Sequence, residues 1–302
     1  MKRRLRVLFA GSGAFGLPTL EQLAASHEVV HVYTQPDRPA GRGKKLTATP
    51  VGEFADDRGL PVTRTERFND EALPEADALV VIAFGQKISD AQANHARLGA
   101  MNLHASLLPR HRGAAPIHHS LLAGDDPVGN SVIRLADRMD AGAVLLRGET
   151  SPLPLETTGE LHDRLAVLGA PLVLRTLGDL AAGRAVELPQ DESKATRAGK
   201  LSREDGHLDF RRSAAELARQ VNGLSPWPGC RVSVSDRELT LLRAEAIEGT
   251  GTPGRLTRDG HVGTRQGLLR IVDVQPQGGK PMSLADYRNG RPWPAEARVH
   301  AC

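Results

Sequence analysis

The chain has 302 residues, of which 40% are hydrophobic, and its formal net charge is +3. This composition excludes a disordered polyelectrolyte and provides enough apolar side chains for two packed cores. No stretch is long and apolar enough to predict a membrane span. The two cysteines, Cys230 and Cys302, lack the spacing of metal ligands, so we expect reduced thiols, a cytoplasmic protein and no metal site.

Strand and helix signals alternate along the first half of the chain. The predicted strands cover residues 5–10, 29–33 and 78–83, and the predicted helices cover residues 18–25, 50–58 and 115–123. Such alternation predicts a doubly wound, mostly parallel sheet of the Rossmann-like α/β class. Ligands of these sheets bind at the carboxyl ends of the strands, so we expect functional side chains just after predicted strands.

A glycine-rich turn, which begins at Gly11 and ends at Gly16, joins the first predicted strand to the first predicted helix. The pattern matches the dinucleotide-binding fingerprint, which also needs an acidic residue at the end of the second strand to bind the ribose. That strand ends in Tyr33, Thr34 and Gln35 instead. We therefore interpret the glycines as a tight turn on which a helix packs, and we expect no NAD. A dinucleotide-dependent oxidoreductase that uses Gly11 to Gly16 is the alternative from another functional class.

A loop rich in Gly and Pro follows the second predicted strand, at residues 36–46. Its basic residues are Arg38, Arg42, Lys44 and Lys45, against a single acidic residue, Asp37. Because Pro and Gly disfavour helices and central strands, we expect the loop to protrude from the sheet. A solvated charged surface is the ordinary interpretation of such a loop, and a polyanion interface is the functional one.

Polar side chains also follow a predicted strand in the run NLHASLLP, which begins at Asn102. In an extended backbone Asn102 and His104 project to the same face, which places an amide donor beside an imidazole. Asp140 lies between two further predicted strands, residues 133–136 and 142–146, and its carboxylate is suited to orient the imidazole. An amine that attacks a carbonyl carbon needs a donor for the oxyanion and a group that manages its protons. We therefore predict that Asn102, His104 and Asp140 are catalytic.

A long helix and a second domain are predicted in the rest of the chain. The helix begins at a capping box, residues 157–160, and its apolar stripe consists of Leu161, Leu165, Leu168 and Leu172. Pro171 within this stripe predicts a kink or two shorter helices. Farther on, a capped helix from Ser213 and short strands at residues 231–234, 239–246, 261–263 and 268–274 predict a small, OB-like β-barrel.

The predicted organisation has three segments. They are a catalytic domain at residues 1–187, a polar linker without periodicity at residues 188–206, and a C-terminal β-barrel domain at residues 207–302. The basic excess is confined to the C-terminal third, where residues 205–302 hold 14 Lys and Arg against 11 Asp and Glu. A domain that binds a polyanion would have this balance, and so would a solvated surface.

Several motifs together resemble the family of enzymes that transfer formyl groups from 10-formyltetrahydrofolate. These motifs lie at residues 11–18, 34–46, 84–88, 102–113, 190–192 and 226–229, and thus extend over nearly the whole chain. The run SLLP, which begins at Ser106, marks the family as a whole. The basic loop and the added C-terminal domain resemble the members that act on methionine-charged initiator tRNA.

This resemblance implies roles for individual residues. The catalytic Asn, His and Asp of the family fall on Asn102, His104 and Asp140. Its folate-binding segments fall on Phe84, Gly85 and Gln86, on Ser106, Leu107, Leu108 and Pro109, and on the backbone around Asp140. Its contacts with the acceptor end of tRNA fall on Arg38, Arg42, Lys44 and Lys45, with Arg42 reaching into the end of the stem.

We therefore expect a monomeric, cytoplasmic enzyme that transfers the formyl group of 10-formyltetrahydrofolate to the α-amino group of methionine on initiator methionyl-tRNA, without metal, NAD or membrane. A related formyltransferase that acts on a sugar amine or a purine precursor would share Asn102, His104 and Asp140, and it is the nearest alternative. A non-catalytic nucleic-acid-binding protein would leave these three residues unexplained.

Overall fold

The structure, a computed structural model, describes residues 4–40, 43, 45–235, 237–289, 291, 293 and 296–302. Two compact units interleave along the chain. The first unit consists of Met1–Gly113, Gly129–Thr150 and His162–Arg197, and the second unit consists of Ala114–Val128, Ser151–Leu161 and Ala198–Cys302. Each unit contains its own large sheet.

The regular elements are numbered in chain order. The strands are β1 (Arg6–Gly11), β2 (Glu28–Thr34), β3 (Arg38–Ala40), β4 (Lys45–Thr47), β5 (Val62–Arg64), β6 (Ala78–Ile82), β7 (Ala100–His104), β8 (Arg112–Gly113), β9 (Val128–Arg134), β10 (Val144–Thr150), β11 (Arg197–Ala198), β12 (Cys230–Val234), β13 (Arg237–Ile247), β14 (Val262–Gly263), β15 (Leu268–Pro276), β16 (Met282–Ser283) and β17 (Val299–Ala301). The α-helices are α1 (Leu17–Ser26), α2 (Pro50–Asp57), α3 (Asp90–Ala93), α4 (Pro116–Ala123), α5 (Thr158–Ala181), α6 (Ala214–Gly223) and α7 (Leu284–Arg288).

The first unit is built on a seven-stranded sheet with the strand order β10-β9-β7-β6-β1-β2-β5. The five strands from β7 to β5 in this order run parallel, and β9 pairs with β7 in the antiparallel direction. Every residue of β6 is buried, as expected for a central strand of a parallel sheet that is covered on both faces. The predicted mostly parallel, Rossmann-like sheet is confirmed.

The glycine-rich turn after β1 serves close packing. A Cβ atom at Gly11 would lie 2.7 Å from the carbonyl oxygen of Ile82, so only glycine fits there. The backbone N–H groups of Ser12 and Gly13 both donate to the carbonyl oxygen of Ala83, at 3.2 and 3.4 Å. Amides that already bind a protein carbonyl are not arranged to bind a pyrophosphate, which favours the interpretation of this segment as a packing turn.

Helix α5 differs from its prediction in two respects. It is one continuous helix of 24 residues with Pro171 inside it, so of the two predicted alternatives, a kink or two shorter helices, the second is wrong. The prediction that Leu168 belongs to the buried stripe is also wrong, because 43% of this side chain is exposed. The buried side of the helix passes through Gly169 instead, where a Cβ atom would meet the Leu103 side chain of β7. Packing of the helix against the sheet outweighs the loss of one helical hydrogen bond at proline.

The second unit contains an antiparallel sheet with the order β14-β15-β13-β12-β17, and β16 also pairs with β15. The pairing of β13 with β15 has two register shifts, which bend the sheet towards closure. Helix α6 packs on β13, where Asn222 donates to the carbonyl oxygen of Ala244 and accepts its N–H, both at 2.9 Å. The predicted barrel-like fold of the C-terminal sheet is confirmed.

Candidate active site

Two predicted catalytic residues lie on β7 at its carboxyl end. Asn102 and His104 are separated by one residue, so their side chains leave the same face of the strand. The Asn102 side chain is half-buried, and its amide has no hydrogen-bond partner among the described residues. A half-buried amide without a protein partner is suited to donate to an oxygen atom of a ligand.

The imidazole of His104 is buried and has a defined protonation pattern. Its Nε2 atom lies 2.9 Å from the carbonyl oxygen of His111, and because a carbonyl can only accept, Nε2 carries a proton. Its Nδ1 atom faces Asp140 Oδ2 at 3.6 Å, which is too long for a direct hydrogen bond. Burial lowers the pKa of His104 below 6.5, and the nearby Asp140 carboxylate opposes this shift without overcoming it. At neutral pH the ring is therefore neutral, with its lone pair on Nδ1.

Asp140 is held by main-chain contacts in the connection between β9 and β10. The backbone N–H of Gly113 donates to Asp140 Oδ2 at 2.8 Å, which fixes the carboxylate next to the imidazole. Asp140 has a φ of 55° and His111 a φ of 61°, so both partners of the His104 ring lie in the left-handed region. Asp and His tolerate this conformation better than branched residues, and such backbone strain clusters at functional sites.

Asn102, His104 and Asp140 thus supply three complementary groups at one edge of the sheet. They are an amide donor, an imidazole nitrogen that can take a proton, and a carboxylate that stabilises the protonated ring. Nucleophilic attack by an amine on a carbonyl or formyl carbon requires this combination, because negative charge develops on oxygen while the amine loses a proton.

The residues predicted to bind folate on the SLLP segment are Ser106, Leu107, Leu108 and Pro109. Two of them are engaged with the protein: Ser106 Oγ donates to the carbonyl oxygen of Arg110 at 2.7 Å, and Leu108 is 1% exposed. The N–H of Leu108 donates to Ser131 Oγ at 3.1 Å. Leu107 and Pro109 are half-buried, so their surfaces are the accessible part of this segment.

The second predicted folate segment, Phe84, Gly85 and Gln86, is anchored in the same way. The Phe84 ring is buried and packs edge-on against Phe68 with ring centroids 5.3 Å apart. The Gln86 side chain accepts the N–H of Phe68 at 2.9 Å and donates to the carbonyl oxygen of Thr65 at 2.7 Å. Gly85 is exposed with a φ of 79°, so this segment presents main chain rather than side chains to solvent.

Comparison with known proteins identifies the family. The sequence model of the formyl transferase family matches residues 3–177, and the sequence model of the formyl transferase C-terminal domain matches residues 200–292. The chain belongs to the formyl transferase family. A protein from Pseudomonas syringae pv. syringae (strain B728a) named methionyl-tRNA formyltransferase is 41% identical to it, covering 96% of each chain. A protein of the same name from Cereibacter sphaeroides (strain ATCC 17029) is also 41% identical, covering 98% of this chain and 99% of the relative.

Solved structures of formyl transferases share the fold. WlaRD, described as a sugar 3N-formyl transferase in the presence of dTDP and 5-N-formyl-THF, superposes with a TM-score of 0.69. The match covers 92% of this chain and 100% of WlaRD at 13% sequence identity. At so low an identity the likeness concerns the fold alone.

The described part of the basic loop forms a short antiparallel pair of strands, the basic hairpin. Strands β3 and β4 pair through Arg38 with Thr47 and Ala40 with Lys45, apart from the seven-stranded sheet, so the described residues of the loop form neither a helix nor a central strand. Arg38 and Lys45 are exposed, whereas the predicted tRNA contacts Arg42 and Lys44 lie outside the described residues.

An arginine of the seven-stranded sheet binds the residue that precedes this hairpin. Arg64 on β5 binds Asp37 just before β3, with Nε and Oδ1 at 2.9 Å, and it also binds Asp56 on α2. Gln35 accepts from Arg38 at 3.2 Å and donates to the carbonyl oxygen of Phe84 at 3.2 Å. The hairpin is therefore tied to the loop after β6 through defined side chains.

Sequence reasoning missed a polar cluster beneath Asp140. Arg112, which is 9% exposed, donates to Gln190 Oε1 through Nε at 3.0 Å and Nη2 at 2.7 Å. Its guanidinium also binds Glu192, which accepts from Arg138 as well, and the two arginines lower the pKa of Glu192 to about 2. The run of Gln190, Asp191 and Glu192 was part of the resemblance, but its place in the predicted linker gave no reason to connect it with Asp140.

Metal and membrane features complete the description of the chain. Within the described ranges no helix is long and apolar enough to cross a membrane. Those residues also contain no group of three or more His, Cys, Asp or Glu side chains that could hold a metal ion. Cys230 is buried, which raises the pKa of its thiol to about 12 and makes it a packing residue rather than a reactive thiolate.

Proposed function

We propose that this formyl transferase moves the formyl group of 10-formyltetrahydrofolate to the α-amino group of methionine on initiator methionyl-tRNA. The observation that carries the proposal is the 41% identity, over 96% of the chain, to a protein named methionyl-tRNA formyltransferase. Both parts of the chain support the proposal, because the formyl transferase sequence model and the sequence model of its C-terminal domain both match. The group formed by Asn102, His104 and Asp140 supplies the chemistry that the reaction needs.

In the proposed mechanism the neutral amine attacks the formyl carbon, and a C–N bond forms while the carbonyl oxygen becomes an oxyanion. Asn102 donates a hydrogen bond to that oxyanion. The amine proton passes to Nδ1 of His104, and the Asp140 carboxylate stabilises the imidazolium. The imidazolium then returns its proton to N10 of the folate as the bond between N10 and the formyl carbon breaks. An α-amino group has a pKa of about 7.7 to 8.0, so it needs only modest base assistance.

The donor site is proposed at the loops that flank the catalytic residues. The anchored segments at Phe84, Gly85 and Gln86 and at Ser106, Leu107, Leu108 and Pro109 would offer the exposed main chain of Gly85 and the accessible surfaces of Leu107 and Pro109 to a pterin ring. The description of WlaRD with 5-N-formyl-THF supports a folate donor for the fold. No metal or nicotinamide is part of this proposal.

We assign tRNA binding to the basic hairpin and the C-terminal part of the chain. Arg38 and Lys45 of the hairpin are exposed, and Arg42 and Lys44 belong to the same loop. Residues 1–187 would then catalyse the reaction, residues 207–302 would bind tRNA and residues 188–206 would link them. Because only 3% of the residues are aromatic, binding should use phosphate and sugar contacts more than base stacking. These substrates support a cytoplasmic location, and we propose a monomer.

The proposal is tested by incubating the purified protein with 10-formyltetrahydrofolate and methionine-charged tRNA. Formylmethionine should form on initiator tRNA and scarcely on elongator tRNA charged with the same amino acid. An Asn102→Ala variant is the matched control for enzyme-dependent transfer. Transfer to an amino sugar or a purine precursor with none to tRNA would reject the proposal in favour of the related formyltransferases. A spectral change on titration with NADH would favour the oxidoreductase alternative.

A further inference from the structure

We infer that Gln190 is a positioning residue that sets the orientation of the proposed catalytic carboxylate of Asp140. The inference rests on the proposed function and assigns a role to a residue outside the predicted catalytic group. The connection between β9 and β10 is called the Asp140 loop. The Gln190 Nε2 atom donates to two of its main-chain carbonyl oxygens, those of Asp140 at 2.7 Å and Gly142 at 2.8 Å. Through these two hydrogen bonds the Gln190 side chain binds the main chain of the loop.

The amide of Gln190 is fully used. Both N–H groups of its Nε2 are donated to the loop, and Oε1 accepts two hydrogen bonds from Arg112. The Arg112 guanidinium is in turn fixed by the carboxylate of Glu192, through contacts of 2.8 and 3.1 Å. A glutamine with all of its bonds satisfied in one geometry cannot rotate without breaking several of them, so it defines where the loop lies.

The loop needs such a support. Asp140 has a φ of 55°, a conformation that a non-glycine residue keeps only when its surroundings enforce it. The N–H of Gly113 holds the carboxylate from one side, and Gln190 holds the main chain on both sides of the turn. Together they place Oδ2 at 3.6 Å from Nδ1 of His104, where it acts on the imidazole by charge.

The segment that carries Gln190 is anchored independently of this side chain. Before it, Leu188 exchanges two backbone hydrogen bonds with Val144, at 2.8 and 2.9 Å. After it, Thr196 accepts the backbone N–H of Arg112 at 2.9 Å. Substitution of Gln190 should therefore leave the segment in place and release only the Asp140 loop.

The test compares Gln190→Leu and Gln190→Glu with wild type in steady-state formyl transfer across a range of pH. Leucine removes all four bonds, whereas the isosteric glutamate keeps the contact with Arg112 and loses the donation to the two carbonyls. We expect kcat to fall about 10- to 100-fold in both variants, with KM for methionyl-tRNA within about threefold of wild type and a rise in KM for the folate, because the backbone around Asp140 belongs to the predicted folate site. The lower acidic limb of the kcat/KM profile, which reports His104 and lies beneath the limb of the substrate's α-amino group, should move to lower pH, because a displaced Asp140 no longer raises the pKa of His104.

Glu187→Gln is the matched control, because Glu187 lies on the same segment and binds Arg134 at 2.9 Å without touching the Asp140 loop. It should retain the wild-type kcat and pH profile. The inference is overturned if Gln190→Glu keeps wild-type kcat, or if both Gln190 variants lose activity with an unmoved lower acidic limb, which is what a smaller folded fraction would give. Absence of formyl transfer in the wild type would instead reject the proposed function.

Discussion

Asp140 Oδ2 and His104 Nδ1 lie 3.6 Å apart, although His104 ends β7 and Asp140 lies in the connection between β9 and β10. This separation is too long for a hydrogen bond and short enough for a strong charge interaction in a buried site. In the proposed mechanism the ring keeps its lone pair on Nδ1 until a substrate proton arrives, and the carboxylate then stabilises the imidazolium. The arrangement suits a base that must return its proton within the same catalytic cycle.

Replacement of Asn102 by alanine tests the oxyanion donor. We expect kcat to fall by about two to three orders of magnitude, because one donor to a developing oxyanion is removed while the substrates still bind. The exposed Asn94 at the end of α3 is the control, since Asn94→Ala loses only a bond to the carbonyl oxygen of Asp90. Steady-state formyl transfer decides, and equal kcat in the two variants would show that Asn102 does not contact the reacting oxygen.

The pH dependence of transfer reports on His104. Its pKa is lowered below 6.5 by burial, so kcat/KM should show a second acidic limb with its midpoint below that pH, beneath the first limb that protonation of the α-amino group sets near its own pKa of about 7.7 to 8.0. Asp140→Asn removes the charge that raises the pKa of His104, and it should therefore move the second limb further down while reducing kcat about 100-fold or more. The exposed Asp137 on the same connection provides the control variant Asp137→Asn. A second limb that moves upward in Asp140→Asn would contradict this account.

Burial of His104 also affects stability. A histidine whose pKa is lowered by folding binds protons more readily in the unfolded chain. The free energy of unfolding therefore decreases as the pH falls from 6.5 towards the pKa of His104 in the folded protein. Replacement by a neutral residue of similar size, His104→Gln, should therefore flatten the decline of unfolding free energy in this interval. Urea unfolding at a series of pH values measures this decline, and an unchanged slope would mean that folding does not lower the pKa of His104.

Arg64 is expected to govern tRNA binding although it lies on β5 and not on the hairpin. Arg64→Met removes the clamp on Asp37 and Asp56, so the hairpin loses its fixed orientation. We expect KM for methionyl-tRNA to rise about 10-fold, with KM for the folate unchanged. Arg58→Met is the control, because its pair with Glu21 is exposed and worth little. An equal rise in both KM values would indicate general damage to the first unit.

Local signals accounted for most of the fold. The capping box at Ser213, the end of α4 at Gly124 and the apolar strands were predicted because each depends on residues close in sequence. The prediction that Leu168 lies on the buried side of α5 was wrong. Gly169 lies there instead, because it fits against Leu103 of β7, a tertiary contact that local sequence does not reveal.

The candidate site was predictable only in part for the same reason. Asn102 and His104 share a strand, so their common orientation follows from strand geometry. The approach of Asp140 depends on β9 lying antiparallel beside β7, which local patterns do not specify. Gln190 acts through two backbone carbonyls, and a glutamine in a polar stretch without periodicity gives no sign of such a role.

The second unit offers a separate test of electrostatics at Arg243 and Glu160. Arg243 on β13 donates to Glu160 Oε1 at 2.7 Å and to Asp273 Oδ2 at 2.9 Å, and Glu160 also closes the capping box with Thr157. The hydrogen bond from Arg243 is the main reason why the pKa of Glu160 is lowered from 4.5 to about 2. Half of the Glu160 side chain is exposed, so solvent screening limits the value of the pair to about 1 kcal/mol.

Arg243→Met should therefore lower the free energy of unfolding by about 1 kcal/mol at neutral pH. Because the pKa of Glu160 is depressed in the folded protein, its contribution is complete above 4.5 and is lost as the pH falls towards about 2. The difference between wild type and variant should shrink over that interval when urea unfolding is followed at decreasing pH. Arg231→Met, on the exposed side of the neighbouring strand β12, should match wild type throughout. A difference that stays constant down to the lowest pH would show that Arg243 acts by packing of its aliphatic stem and not through the Glu160 charge.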